Sequence, residues 1–197
     1  VNCTGLDDEP SAEDHLTTAY DIALMSRELL KHDEIRKYTT IWMDTVRGGQ
    51  FGLSNTNKLV RFYDGTTGLK TGFTHAAGHC LSASAERDGM ELIAVVLHCA
   101  NSTDRFESAK ALLDYGFATY ALVTPEPPEE LGQVTVQLGE QSIIEPILQS
   151  TEPILMEKSL KNSVTTEISL EENVSAPVEK GQKLGTLTIK AGDQVLS

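Results

Sequence analysis

The chain has 197 residues, 40% hydrophobic and 23% charged, which is enough for one large or two small globular domains with a buried core. Its net charge of -13 speaks against nucleic acid as a partner, because phosphate binding needs clustered Lys and Arg. The residues hold no apolar run long enough to span a bilayer, and no charged-then-apolar leader pattern opens them.

The opening VNCTGLDDEPSAEDH has no periodicity and reads as a surface loop. Thr18 with Asp21 three residues on forms a capping-box-like start, and Ile22, Met25 and Leu29 follow at helical spacing with Leu30 beside them. This predicts a helix over Ala19 to Lys31, with His15 a solvent-facing or capping residue ahead of it. A weaker helical stretch begins at Glu34, and Trp42 is expected in the core. Gly48-Gly49 breaks the chain, after which Asn55, Asn57 and Lys58 fall in a loop and short helix, where they are expected to hold a turn through side chain to backbone hydrogen bonds.

The stretch Asp64 to Gly78, DGTTGLKTGFTHAAG, combines an extended segment bounded by turn signals with a single lysine, a hydroxyl and a bare backbone position in the order Lys70-Thr71-Gly72. An ammonium and a hydroxyl fix an anionic group, and glycine lets another backbone lie alongside. The alternative is a surface lysine beside a turn.

Next, His79 to Glu86 and Glu91 to His98, separated by Arg87-Asp88-Gly89-Met90, read as an antiparallel hairpin. The nearly continuous apolar run LIAVVLH predicts a central strand covered on both faces. A helix follows from about Asp104 to Thr119, with Phe106, Ala109, Leu112, Leu113 and Phe117 facing inward and Glu107 closing a box on Asp104. Arg105 in its first turn opposes the helix macrodipole, a placement that function or a carboxylate partner (Asp104 or Glu107) would explain. Metal is not implied: Cys3, Cys80 and Cys99 have no ligand spacing, and His75, His79 and His98 fit no zinc pattern. Cys80 and Cys99 fall on adjacent predicted strands, within reach of a disulfide, or pack as small buried hydrophobes.

Pro125, Pro127 and Pro128 among Glu126, Glu129 and Glu130 mark a stiff acidic linker. Beyond it QVTVQL, SVTTEISL and KLGTLTIK alternate at strand period with turns at Gly139, Gly181 and Ala191-Gly192-Asp193, so the division expected is an α+β domain over 1–122 and a small all-β domain over 123–197. Twelve acidic and five basic residues from Val123 on leave -7 there and -6 in the first part, so no single-sign tail is indicated.

Several of these segments, taken in order, resemble one family: NCTGLDD (Asn2 to Asp8), HLTTAYDIA (His15 to Ala23), NTNKLVRFYDGTTGLKTGFTHAAGHCLSASAERDGMELIAVVLH (Asn55 to His98) and TDRFESAKALLDYGF (Thr103 to Phe117). The family is the serine-type D-alanyl-D-alanine carboxypeptidases, the low-molecular-weight penicillin-binding proteins of peptidase family S11, and APVEKGQKLGTL (Ala176 to Leu187) resembles their C-terminal domain. The family carries its nucleophile in Ser-x-x-Lys and a second element in Ser-x-Asn, and neither motif occurs among these 197 residues. Cys3 stands where the family often has proline, and Phe73 where relatives vary.

The resemblance implies the back part of an incomplete penicillin-binding, β-lactamase-like domain with an antiparallel sheet and helices, inactive alone. The intact enzyme removes the terminal D-Ala of peptidoglycan stem peptides through an acyl-enzyme, and β-lactams acylate the same serine. By the same resemblance Lys70 and Thr71 recognise the substrate carboxylate, Gly72 admits the peptide backbone, Phe73 offers its N–H to the oxyanion, and Arg105 lies near the carboxylate site. It implies no cofactor, an extracytoplasmic location, and a membrane anchor only through segments not present here. Half a domain is expected to self-associate or to need a complementary N-terminal fragment. The competing expectation is a non-catalytic cell-wall or protein-interaction module.

Overall fold

A computed structural model of the chain describes residues 5, 15–126, 128, 130–148, 152–192 and 194–196. The opening loop apart from Gly5 and His15, with Cys3 and NCTGLDD, therefore falls outside the description, as do Pro127, Glu129 and Asp193. The chain forms two compact units, Val1–Ala118 and Thr119–Ser197.

The first unit is α+β, built on a three-stranded antiparallel sheet of β3 (Thr66–Thr74), β4 (Gly78–Arg87) and β5 (Met90–Cys99). Asp88 and Gly89 both take positive φ at the β4–β5 turn, the backbone that a tight hairpin requires. β4 is the central strand, and small residues make it so. Ser82 and Ser84 on one face and Ala83 and Ala85 on the other are all buried, which lets helices approach both sides closely. β5, expected to be central, is the outer strand among the described residues. Of its apolar run Met90, Ala94 and Val96 are buried, Leu92, Ile93 and Val95 are half-buried and Leu97 is exposed, so the run is covered only in part.

Helix α1 (Ala19–Leu30) starts as expected, with the Thr18 hydroxyl accepting from the Asp21 N–H at 3.1 Å. Its buried face differs from the predicted stripe. Ser26 and Leu30 are buried, whereas Met25 is 59% exposed and Leu29 is exposed. The hydrogen bond between Ser26 Oγ and Ser82 Oγ, 2.7 Å, sets this orientation by bringing small polar side chains of helix and sheet together. Helix α2 (Asp33–Thr39) is tied to the sheet by Arg36, whose guanidinium donates to Glu86 at 2.6 Å and Glu91 at 2.7 Å. These bonds hold its pKa above the ordinary arginine value.

The Gly48-Gly49 break is the turn of a hairpin that periodicity did not announce, β1 (Met43–Val46) with β2 (Phe51–Ser54), exposed along its whole length. Trp42 is half-buried, not core. It packs edge-on against exposed Phe62, at the end of the short helix α3 (Leu59–Phe62). Helix α4 (Ser102–Thr119) buries Phe106, Ala109, Leu113 and Phe117 as expected, leaves Leu112 exposed, and adds Arg105 and Gly116 to the buried face. Its cap is Asn101, which accepts from the Asp104 N–H and donates to the Asp104 carboxylate. Glu107 pairs with Lys110 instead of closing a box.

The second unit is β-rich. It contains an antiparallel sheet of β10 (Val164–Leu170), β12 (Gly185–Ala191) and β13 (Gln194–Val195). A second sheet has β7 (Val134–Gln137) between β8 (Ile143–Ile144) and β11 (Asn173–Ser175). β6 (Tyr120–Val123) pairs with β9 (Ile154–Glu157), and a 3-10 helix spans Lys158–Ser163. Val134, Val136, Met156, Ile189 and Ala191 form its buried centre.

Candidate functional site

β3 is the outer strand beside β4, and its own chain closes only the first half of its free side. The Thr39 hydroxyl donates to the Thr67 carbonyl at 2.6 Å and Asn57 Nδ2 to the Gly68 carbonyl at 3.0 Å. Asn57 is itself buried and accepts from the Leu59 N–H, while Asn55 Nδ2 donates to the carbonyls of Thr39 and Ile41. The Asn57 N–H donates to Asn55 Oδ1 at 2.9 Å, the turn-holding bond expected of these polar groups, and the loop also anchors the strand, which was not expected. From Lys70 on, no strand pairs with this side among the described residues.

Strand alternation puts Lys70 and Gly72 on one face and Thr71 and Phe73 on the other, with Gly72 directly opposite Cys80 and Phe73 opposite His79. Lys70 is exposed. Its ammonium donates to the Thr71 carbonyl, and among the described residues it forms no ion pair. Thr71 is 7% exposed, with its hydroxyl 2.7 Å from that of Thr56. Thr56 is a site neighbour that sequence reasoning missed, because a threonine in a turn carries no signal of its own. Phe73 presents a 53% exposed ring tilted over His79 at 4.4 Å, with His75 edge-on at 5.6 Å.

The four glycines of the stretch are not equivalent. A Cβ at Gly65 would meet the Glu86 carbonyl at 2.4 Å, one at Gly68 the Thr39 side chain at 3.0 Å, and one at Gly78 the His98 backbone at 3.1 Å. At Gly72 its nearest neighbour would be Cys80 Cβ at 3.9 Å, an ordinary contact, and no positive φ demands glycine there. Nothing in the fold requires the missing side chain at Gly72.

Arg105 is 7% exposed and pairs with neither Asp104 nor Glu107, so the surface ion pair weighed from sequence does not form. One Nη donates to the carbonyls of Gly72 at 3.2 Å and Cys80 at 3.3 Å, and the other donates to Ser102 Oγ at 3.2 Å. The guanidinium lies over the Phe106 ring, and burial draws its pKa below the ordinary arginine value. Cys80 and Cys99 are free thiols, both half-buried, and burial raises the Cys99 pKa. Among the described residues no His, Cys, Asp and Glu group is arranged to hold a metal ion, and no helix is long and apolar enough to cross a membrane.

The family model for D-alanyl-D-alanine carboxypeptidase matches residues 1–101, and that for the C-terminal domain of penicillin-binding protein 5 matches residues 126–197. The chain is 39% identical to D-alanyl-D-alanine carboxypeptidase DacF of Bacillus subtilis, over 100% of its own length and 51% of the relative's. Penicillin-binding protein 5 of Haemophilus influenzae superposes with a TM-score of 0.69 at 25% identity, over 92% of this chain and 54% of that one. Penicillin-binding protein D2 of Listeria monocytogenes, in its cefotaxime-bound form, gives 0.54 at 37% identity over 59% and 47%. The chain spans about half the length of the curated relatives it matches. On its sequence, its α+β first unit and its β-rich second unit, this chain belongs to the D-alanyl-D-alanine carboxypeptidase family of penicillin-binding proteins.

Proposed function

We propose that this chain supplies the substrate-recognition strand of a serine-type carboxypeptidase that removes the terminal D-Ala from peptidoglycan stem peptides outside the cytoplasm. The observation that carries this reading is Gly72, a bare position on the open side of an outer strand, flanked by a hydroxyl and by a cation that has no carboxylate partner among the described residues. A peptide ending in a free carboxylate meets Lys70 and Thr71, lies with its backbone across Gly72, and brings its scissile carbonyl to the Phe73 N–H. Arg105 adds positive charge from behind the strand. Residues 1–122 then form the carboxypeptidase portion and 123–197 the accessory β domain.

In the complete reaction a serine hydroxyl attacks the carbonyl, its proton passes to a base, and the D-Ala amine leaves with a proton. Water then hydrolyses the acyl-enzyme. The residues that would do this sit in Ser-x-x-Lys and Ser-x-Asn, which these 197 residues lack. The chain's part is recognition and one oxyanion donor. Exposed Leu16, Tyr20, Met25 and Leu29 at α1, with Met43, Phe51 and Leu53 on the β1–β2 hairpin, support association with a second copy or with a polypeptide carrying the two absent motifs.

Incubation with a fluorescent penicillin followed by intact-mass measurement tests the assignment. No covalent adduct is expected. An adduct would place a nucleophile within these residues and overturn the division of labour.

A further inference from the structure

A buried guanidinium is normally held by a carboxylate, because removing a cation from water costs several kcal/mol that an opposite charge offsets. Arg105 has no such partner among the described residues. It spends its donors on Ser102 Oγ and on the carbonyls of Gly72 and Cys80, residues directly opposite in the β3–β4 register, and its Nε is buried without a partner. We infer that Arg105 is a positioning residue that acts through the Gly72–Phe73 peptide unit, fixing its plane and strengthening the Phe73 N–H as a donor to negative charge developing on the substrate. The inference rests on the reading of the Phe73 N–H as an oxyanion donor.

The coupling between guanidinium and amide is covalent as well as electrostatic. The Gly72 carbonyl and the Phe73 N–H belong to one conjugated peptide group, so a donor at the oxygen draws electron density from the nitrogen and makes its hydrogen more positive. A guanidinium does this more strongly than a neutral donor. At 7% exposure and with no counter-ion among the described residues, its field is little screened by solvent. The second bond, to Cys80, fixes the adjoining strand to the same nitrogen, so the Phe73 amide cannot turn without breaking the clamp. Gly72 and Cys80 sit 33 and 25 residues before Arg105, so this is a tertiary arrangement made for one point of the strand pair.

The test is amide NMR of the 15N-labelled chain, wild type against Arg105→Met. The expected result is an upfield movement of the Phe73 15N and amide proton larger than at Thr71, Thr74 or Leu81, with the remaining spectrum preserved. Equal movement at Phe73 and its neighbours would reduce Arg105 to packing and overturn the inference. Arg105→Lys, which keeps the charge but not the fork, carries the same comparison should the Met variant fail to fold. There Phe73 is expected to move in the same direction and less far, and a Phe73 signal unmoved from wild type overturns the inference. Adding N-acetyl-D-Ala-D-Ala to the wild type separates this claim from the one beneath it. Shifts at Lys70 and Thr71 without a selective Phe73 effect in the variants sink the Arg105 role and leave the strand reading standing. No shifts at Lys70 and Thr71 sink the strand reading, and the role of Arg105 with it.

Discussion

At Gly72 the fold and the proposed function make opposite demands. The chain has room for a side chain there, with 3.9 Å to the nearest atom and no left-handed backbone. Gly72→Ala is therefore expected to leave stability unchanged or raise it by about 0.4–1 kcal/mol, since alanine restricts the unfolded chain. The same substitution should abolish shifts on peptide titration. A thermal melt and an NMR titration of one sample check both halves, and loss of stability would mean that glycine serves packing instead. Lys70, Thr71 and Gly72 were legible because charge, hydroxyl and missing side chain are properties of single residues. The contacts of Arg105 with Gly72 and Cys80 were not, since they go to backbone carbonyls that leave no trace in residue identity.

At the scale of elements, β3 is held where it can serve a ligand by the loop that ends at α3. Asn57→Ala removes the buried amide that bridges the Gly68 carbonyl and the Leu59 N–H, leaving both unsatisfied, and should cost about 1–3 kcal/mol in chemical denaturation. No loss would mean that the loop does not anchor the strand. Tyr63, just after α3, fastens the same region to α4 by donating to Asp114 at 2.6 Å. Burial, followed by that bond, pushes the Tyr63 pKa up from 10.0 to about 12. The folded value lies above the unfolded one, so this contribution to stability is complete below pH about 10 and is lost as pH rises through about 12. Absorbance titration should show one late-ionising tyrosine that Tyr63→Phe removes. Hairpin β4–β5, α1 and α4 were readable from turn residues, caps and periodicity. The orientation of α1 was not, because a serine pair between helix and sheet decided it over the Met25 and Leu29 stripe.

For the whole molecule, the exposed apolar side chains of α1 and β1–β2 predict self-association, read as a mass above 21.4 kDa by light scattering, or capture of a polypeptide bearing the two absent motifs. A monomer that melts cooperatively and binds no such polypeptide would contradict that expectation. An alternating pattern at strand period made the β-rich character of the second unit legible, whereas its strand order came only with the structure, since alternation carries no information on which strands pair. The proposed function turns on recognition of a peptide carboxylate by Lys70-Thr71-Gly72. The most direct test is an amide NMR titration of the labelled chain with N-acetyl-D-Ala-D-Ala and, in parallel, with its C-terminal amide. Saturable shifts at Lys70 through Phe73 with the free acid, absent with the amide, are the predicted result. Identical responses to both, or none at these residues, would contradict it.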